Sequence, residues 1–193
     1  MVGLAVLGVM GAGQARADNL VINGSFEDGL NGWTIGGTDG QGFPPVAILY
    51  DSTAGYPTGA FGEEIPPNNA WTPSTDPVGD HAAYFVSDLG ENQSLYQTIH
   101  IAEAGIYQIG FSAYAPLNGY NNAGDASFVG RIADDELANY NVHESMPQQW
   151  VTYSGAQYLD VGPYLVEFVF NTSLVPSADV VIDQVYVIKG NPQ

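Results

Sequence analysis

Apolar and polar residues alternate along most of this chain with a period of two, the spacing that sends successive side chains to opposite faces of a pleated strand. The clearest runs place Tyr107, Ile109, Phe111 and Ala113 on one face, and Tyr164, Val166, Phe168 and Phe170 on one face of another segment. Shorter β-branched and aromatic runs predict further strands near Leu20–Ile22, Trp33–Ile35, Val46–Tyr50, Ala82–Val86, Leu95–Ile101, Ser127–Ile132, Trp150–Tyr153 and Val180–Ile188. Clusters of Gly, Asn, Asp and Pro separate them, and no segment repeats with a helical period. The pattern predicts an all-β chain whose antiparallel strands form a two-sheet β-sandwich. Trp33 and Trp150, each beginning a strand among apolar neighbours, are assigned to its core.

Composition narrows this picture. The 193 residues suit one domain, and only 12% are charged, which favours turn-rich sheets over helices built on Lys, Glu and Arg. Residues 1–17 read as an export signal: an apolar run from Val2 to Met10 and a small-residue ending, Ala15-Arg16-Ala17. The expected product is a secreted single domain of residues 18–193, at the cell surface or outside it. No later stretch is long and apolar enough to insert in a membrane. The formal net charge is −18, with only Arg16, Arg131 and Lys189 basic, so nucleic acid is excluded as a partner: binding its phosphates needs clustered cations. There is no cysteine, hence no disulfide, no thiolate nucleophile and no Cys-ligated metal. Stability outside the cell must then come from the core or from a hard metal ion.

The opening Asn19-Leu20-Val21-Ile22-Asn23-Gly24-Ser25-Phe26-Glu27-Asp28-Gly29, followed by Gly32-Trp33-Thr34, resembles the start of family 4/9/22-like carbohydrate-binding modules. Those modules are galactose-binding-like jelly rolls, so the resemblance implies a jelly-roll topology and a carbohydrate ligand. The ending Ile182-Asp183-Gln184-Val185-Tyr186-Val187 is similar to the last strand of the same group. Exported bacterial proteins of the PEP-CTERM type share both ends.

Asp183 stands in a run where Val181, Val185 and Val187 are expected on the same face. A carboxylate among apolar side chains is costly unless paired. Lys189 lies roughly 20 Å along the same strand, so a hard cation taken from the surroundings is the expected partner, and oxygen ligands select calcium. The resemblance implies the ligand set: the Glu27 carboxylate, the Ser25 carbonyl and Asp183, with a further carbonyl near Tyr50 or Asp51. Without an ion, Glu27 would cap a turn and Asp183 would accept backbone N–H groups.

Sugars are bound by aromatic platforms flanked by amides and carboxylates, because a pyranose has apolar faces and polar edges. The richest clusters are Tyr114, Tyr120, Asn121 and Asn122, and the Pro- and Gly-rich stretch 51–80 holding Tyr56 and Trp71. Both are expected to reach solvent. Arg131 is expected to pair locally with the acids Asp134 to Glu136, and the three histidines share no metal-ligand spacing. No nucleophile elbow, zinc-binding helix or phosphate loop occurs, and adjacent acids such as Glu63-Glu64 would point to opposite faces of a strand. The reading is a non-catalytic carbohydrate-binding protein with structural calcium, or alternatively a matrix or cell-surface protein with no specific sugar site.

Overall fold

The computed structural model describes residues 18–38, 43–50, 79–86, 91–172 and 176–190. The proposed signal, Asp51, Tyr56 and Trp71 lie outside the described residues. Ten strands are present: β1 Thr34–Thr38, β2 Val46–Leu49, β3 His81–Phe85, β4 Glu91–Ile101, β5 Gly105–Tyr114, β6 Ala126–Ile132, β7 Asp135–Asn141, β8 Val151–Leu159, β9 Gly162–Thr172 and β10 Val180–Lys189. They form two five-stranded sheets, ordered β2-β3-β10-β5-β8 and β1-β4-β9-β6-β7, with antiparallel pairing throughout. This is the expected sandwich, with jelly-roll topology.

The period-two residues fill the space between the sheets. In β6, Ala126, Phe128 and Ile132 turn inward, and Ser127, Val129 and Arg131 turn outward. Phe111 of the first sheet meets Phe168 of the second edge-on at 4.9 Å, and Phe85 meets Phe170 at 5.7 Å, a spacing at which ring pairs add to burial. Trp33 stacks on Phe26 at 5.4 Å in the same core, and Trp150 is also buried.

Leu20–Ile22 is not a strand. Instead, the N-terminal segment is laced to β10 from outside the ladder. Leu20 N–H donates to Val187 O at 2.9 Å, Val185 N–H to Gly24 O at 2.9 Å, and Asn19 binds both Val185 O and Val187 N–H through its side chain. Gln97 of β4 holds the other side, accepting from Ile22 N–H and donating to Ile22 O. The Asn19 and Gln97 amides supply partners that a strand neighbour would give, so the segment is free to turn.

Strand β7 has no counterpart in the pattern reading, because it is a polar edge strand with only Ala138 buried. A second correction concerns β10. The register shifts between Asp183 and Tyr186, with Gln184 at φ 53°. A bulge of this kind inserts an unpaired residue and flips the alternation. Val185 and Val187 therefore join the main core, while Val181 sits in a second buried cluster on the outer face of the first sheet, with Ile48, Ala82, Tyr84, Val86, Tyr114 and Trp150. Asp183 precedes the shift and shares the face of Val181 alone.

Candidate functional site

Four strands of the second sheet build an open hollow on its outer face. It has a volume of about 510 Å³ and is lined by Gly37, Asn92, Ser94, Val129, Arg131, Glu167, Val169 and Asn171. Each lining residue on β4, β6 and β9 holds an outward position in the alternation, and the registers Ser94↔Val169↔Val129 and Glu167↔Arg131 bring them side by side. Tyr96, opposite Glu167 on β4, continues this face and is half-buried.

Charge in the hollow centres on Arg131. Its Nη1 donates to Glu167 at 3.1 Å and its Nη2 to Glu136 at 3.2 Å. The other Glu136 oxygen accepts from Asn139 at 3.0 Å. One guanidinium is thus held between two carboxylates on neighbouring strands, with amides and a hydroxyl around it and two valine side chains between. The arrangement fixes the donors and acceptors in place and leaves the centre with one excess negative charge. It can hydrogen-bond hydroxyls and cover an apolar ring face.

A second group lies at the Glu27 turn. One ligand atom from each of Glu27, Asp80 and His81 lies within 4.8 Å of the others. Glu27 Oε1 accepts the backbone N–H groups of Asp80 and His81 at 3.0 and 2.9 Å. His81 Nδ1 stands 3.2 Å from Glu27 Oε2 and 2.9 Å from Asp80 Oδ1. Gly79 lets this happen: a Cβ there would lie 1.8 Å from the Glu27 carboxyl carbon. The oxygen donors of Glu27 and Asp80 suit a hard cation, while the imidazole nitrogen between them does not.

Asp183 is not in that group. It is 1% exposed, accepts from the Tyr50 hydroxyl, and its Oδ1 takes the Gln184 N–H at 2.6 Å. Ser25 is half-buried two residues before Glu27. Of the three sequence-predicted ligands, then, Glu27 meets Asp80 and His81 at the start of β3, residues the sequence reading did not include in the set, and Asp183 meets the hydroxyl of Tyr50, where a carbonyl near Tyr50 or Asp51 was expected.

The expected sugar platforms fare differently. Tyr114 is 2% exposed, since its outward place on β5 is covered in the second cluster beside Trp150 and Val181; it does not reach solvent. Tyr120 is half-buried and ties a one-turn helix, Leu117–Tyr120, to the segment around His143: its hydroxyl donates to His143 O, and His143 Nε2 lies 2.8 Å from Tyr120 O. Asn122 donates to Ser177 O, and Asn121 is exposed. These residues shape a loop, and none lines the hollow. Arg131 was legible from its neighbours only as far as Glu136; Glu167 pairs with it through sheet register alone.

No family model matches the chain, and no curated protein matches it. Solved structures do. TmCBM61, in complex with β-1,4-galactotriose, has 16% identity over 90% of this chain and 100% of its own, with a TM-score of 0.53. The enzymatically active domain of tailspike protein 4 of bacteriophage CBA120 has 19% identity over 88% of this chain and 21% of its own, at 0.50. A family 16 carbohydrate-binding module has 16% identity over 89% and 100%, at 0.46. The chain has the jelly-roll fold of carbohydrate-binding modules.

Proposed function

We propose that this protein is an exported, non-catalytic glycan-binding module that takes a sugar chain in the hollow around Arg131. The observation that carries the reading is the Glu136–Arg131–Glu167 centre, held in an open outer-face hollow among amide, hydroxyl and valine side chains. Sugar hydroxyls both donate and accept, so a fixed cation between two fixed carboxylates serves them well, and the excess negative charge disfavours acidic polymers. The shared fold with a module solved in complex with β-1,4-galactotriose agrees with this use. No helix among the described residues is long and apolar enough to cross a membrane.

The test is retention on immobilised neutral polysaccharides such as galactan and xylan, compared with polygalacturonate. Affinity in the millimolar to micromolar range, about −4 to −8 kcal/mol, is expected for a shallow site. Arg131→Met should abolish retention while leaving the melting temperature within a few degrees, because half-exposed pairs contribute about 0–1 kcal/mol. Retention unchanged by Arg131→Met would move the site away from this hollow.

The reading includes a structural calcium ion at the Glu27 end of the molecule. Glu27, Asp80 and the Ser25 carbonyl would supply its oxygens, with Asp183 the remaining member of the set implied by the family resemblance. Two carboxylates beside one another in a chain almost without cations support it. Calcium there would supply charge neutralisation and crosslinking of loops, and no chemistry.

A further inference from the structure

The outer face of the first sheet is unlike that of the second. Beyond the β10 bulge, register sets Tyr186 beside Gly110 and Gly110 beside Ser154, then Gln108 beside Ala156, then Ile106 beside Tyr158. Ser154, Ala156 and Gln108 are exposed, and Tyr158 and Ile106 are 61% and 51% exposed. Tyr186 lies across the middle strand: a Cβ on Gly110 would come within 2.6 Å of its hydroxyl and 2.7 Å of its Cζ. The hydroxyl end of the ring reaches this place because Gly110 has no side chain to fill it. No Asp, Glu, Lys or Arg stands among these positions, in a chain whose formal charge is −18.

From this arrangement we propose a second glycan-binding face, centred on Tyr186 and Tyr158, that takes a neutral sugar chain. Tyrosine rings on a sheet face offer apolar surface to the C–H face of a pyranose, and Gln108 and Ser154 stand beside them in the register to meet the hydroxyl edges. The two tyrosines stand four residues apart along β5, roughly 13 Å, which requires a ligand longer than one sugar ring. Absence of charge selects the occupant. An acidic glycan or a basic peptide would find no partner here, and a neutral chain desolvates no ion. The face lies on the opposite sheet from the Arg131 hollow, so one molecule would hold two chains and link them.

The experiment is an amide NMR titration of the folded protein with β-1,4-galactotriose and, separately, xylohexaose. Saturable shifts are expected in two sets, one at Gly110, Ser154, Tyr158 and Tyr186, the other at Asn92, Ser94 and Val169. Tyr158→Ala, at an exposed position, should weaken the first set roughly threefold to tenfold and leave the second unchanged, which also shows that the variant is folded. Gly110→Ala would also drive its methyl to 2.7 Å from the Tyr153 carbonyl oxygen on β8, so Tyr158→Ala is the variant that carries the test. Shifts confined to the hollow would overturn the second face and leave the first reading standing; shifts confined to the Tyr186 face would do the reverse. The same amides moving on protein dilution without sugar would assign the face to a second copy of this chain and overturn the proposal.

Discussion

Asn23 shows how one side chain can organise a segment. It sits at φ 50°, a left-handed conformation that Asn tolerates better than most residues. Its amide donates to Gly29 O and Asn31 O and accepts from Asp28 N–H, while Trp33 Nε1 donates to its carbonyl. Asn23→Ala loses both the bonds and the favourable backbone, at about 2–3 kcal/mol. Asn23→Gly keeps the backbone and should lose less; chemical denaturation of both variants checks the order. A second residue-scale prediction concerns alkali. Tyr140 and Tyr153 stack at 5.8 Å, and burial chiefly, then the neighbouring Tyr153, pushes the Tyr140 phenol well above its ordinary value of 10.0. An acid raised on folding stabilises fully below its unfolded pKa and loses that share as pH climbs through the folded one. Stability should therefore fall from about pH 10 upward. Tyr140→Phe should flatten the fall, measured as melting temperature against pH.

At the scale of elements, β10 is the strand on which the first sheet turns, pairing with β3 on one side and β5 on the other. Its bulge separates a buried carboxylate from the valines of the main core, and Tyr50, just past β2, donates to that carboxylate. Tyr50→Phe removes the donor and leaves the charge, so it should cost about 1–3 kcal/mol. Asp183→Asn, which removes the charge, should cost less. Equal losses by thermal unfolding would mean that the charge itself is of no consequence there. In the opposite sheet, Phe168 meets Trp33, Phe111 and Phe128, and Phe168→Ala should cost about 3–5 kcal/mol.

For the whole molecule, the N-terminal segment is bound along β10, so the ends of the described domain stabilise each other. A calcium ion at Glu27 would tighten this closure. Saturation at a hundred times its dissociation constant should add about 2.7 kcal/mol. The melting temperature should fall in chelator and recover in calcium, with magnesium a poor substitute because it keeps its waters. Glu27→Gln should remove the response, and Asp183→Asn decides whether the last strand takes part. Identical melts in chelator, calcium and magnesium would rule the ion out.

The strands that face a core on one side were legible in the sequence, since burial forces the period of two that Tyr107 to Ala113 and Tyr164 to Phe170 display. The edge strand β7 was not, because an edge with one buried residue carries no such constraint. The identity of Asn19 to Trp33 as a distinctive opening was also written locally, through turns closed by its own side chains. The hollow was not. Gly37, Ser94, Val129, Arg131 and Glu167 are ordinary residues on separate strands, and only the long-range register of β1, β4, β9 and β6 makes them neighbours. The same holds for Glu27 beside Asp80 and for Tyr186 over Gly110. Alternation is a property of each strand alone, whereas a site on a sheet face depends on which strands pair and at what offset, and that is settled by the packing of the whole core.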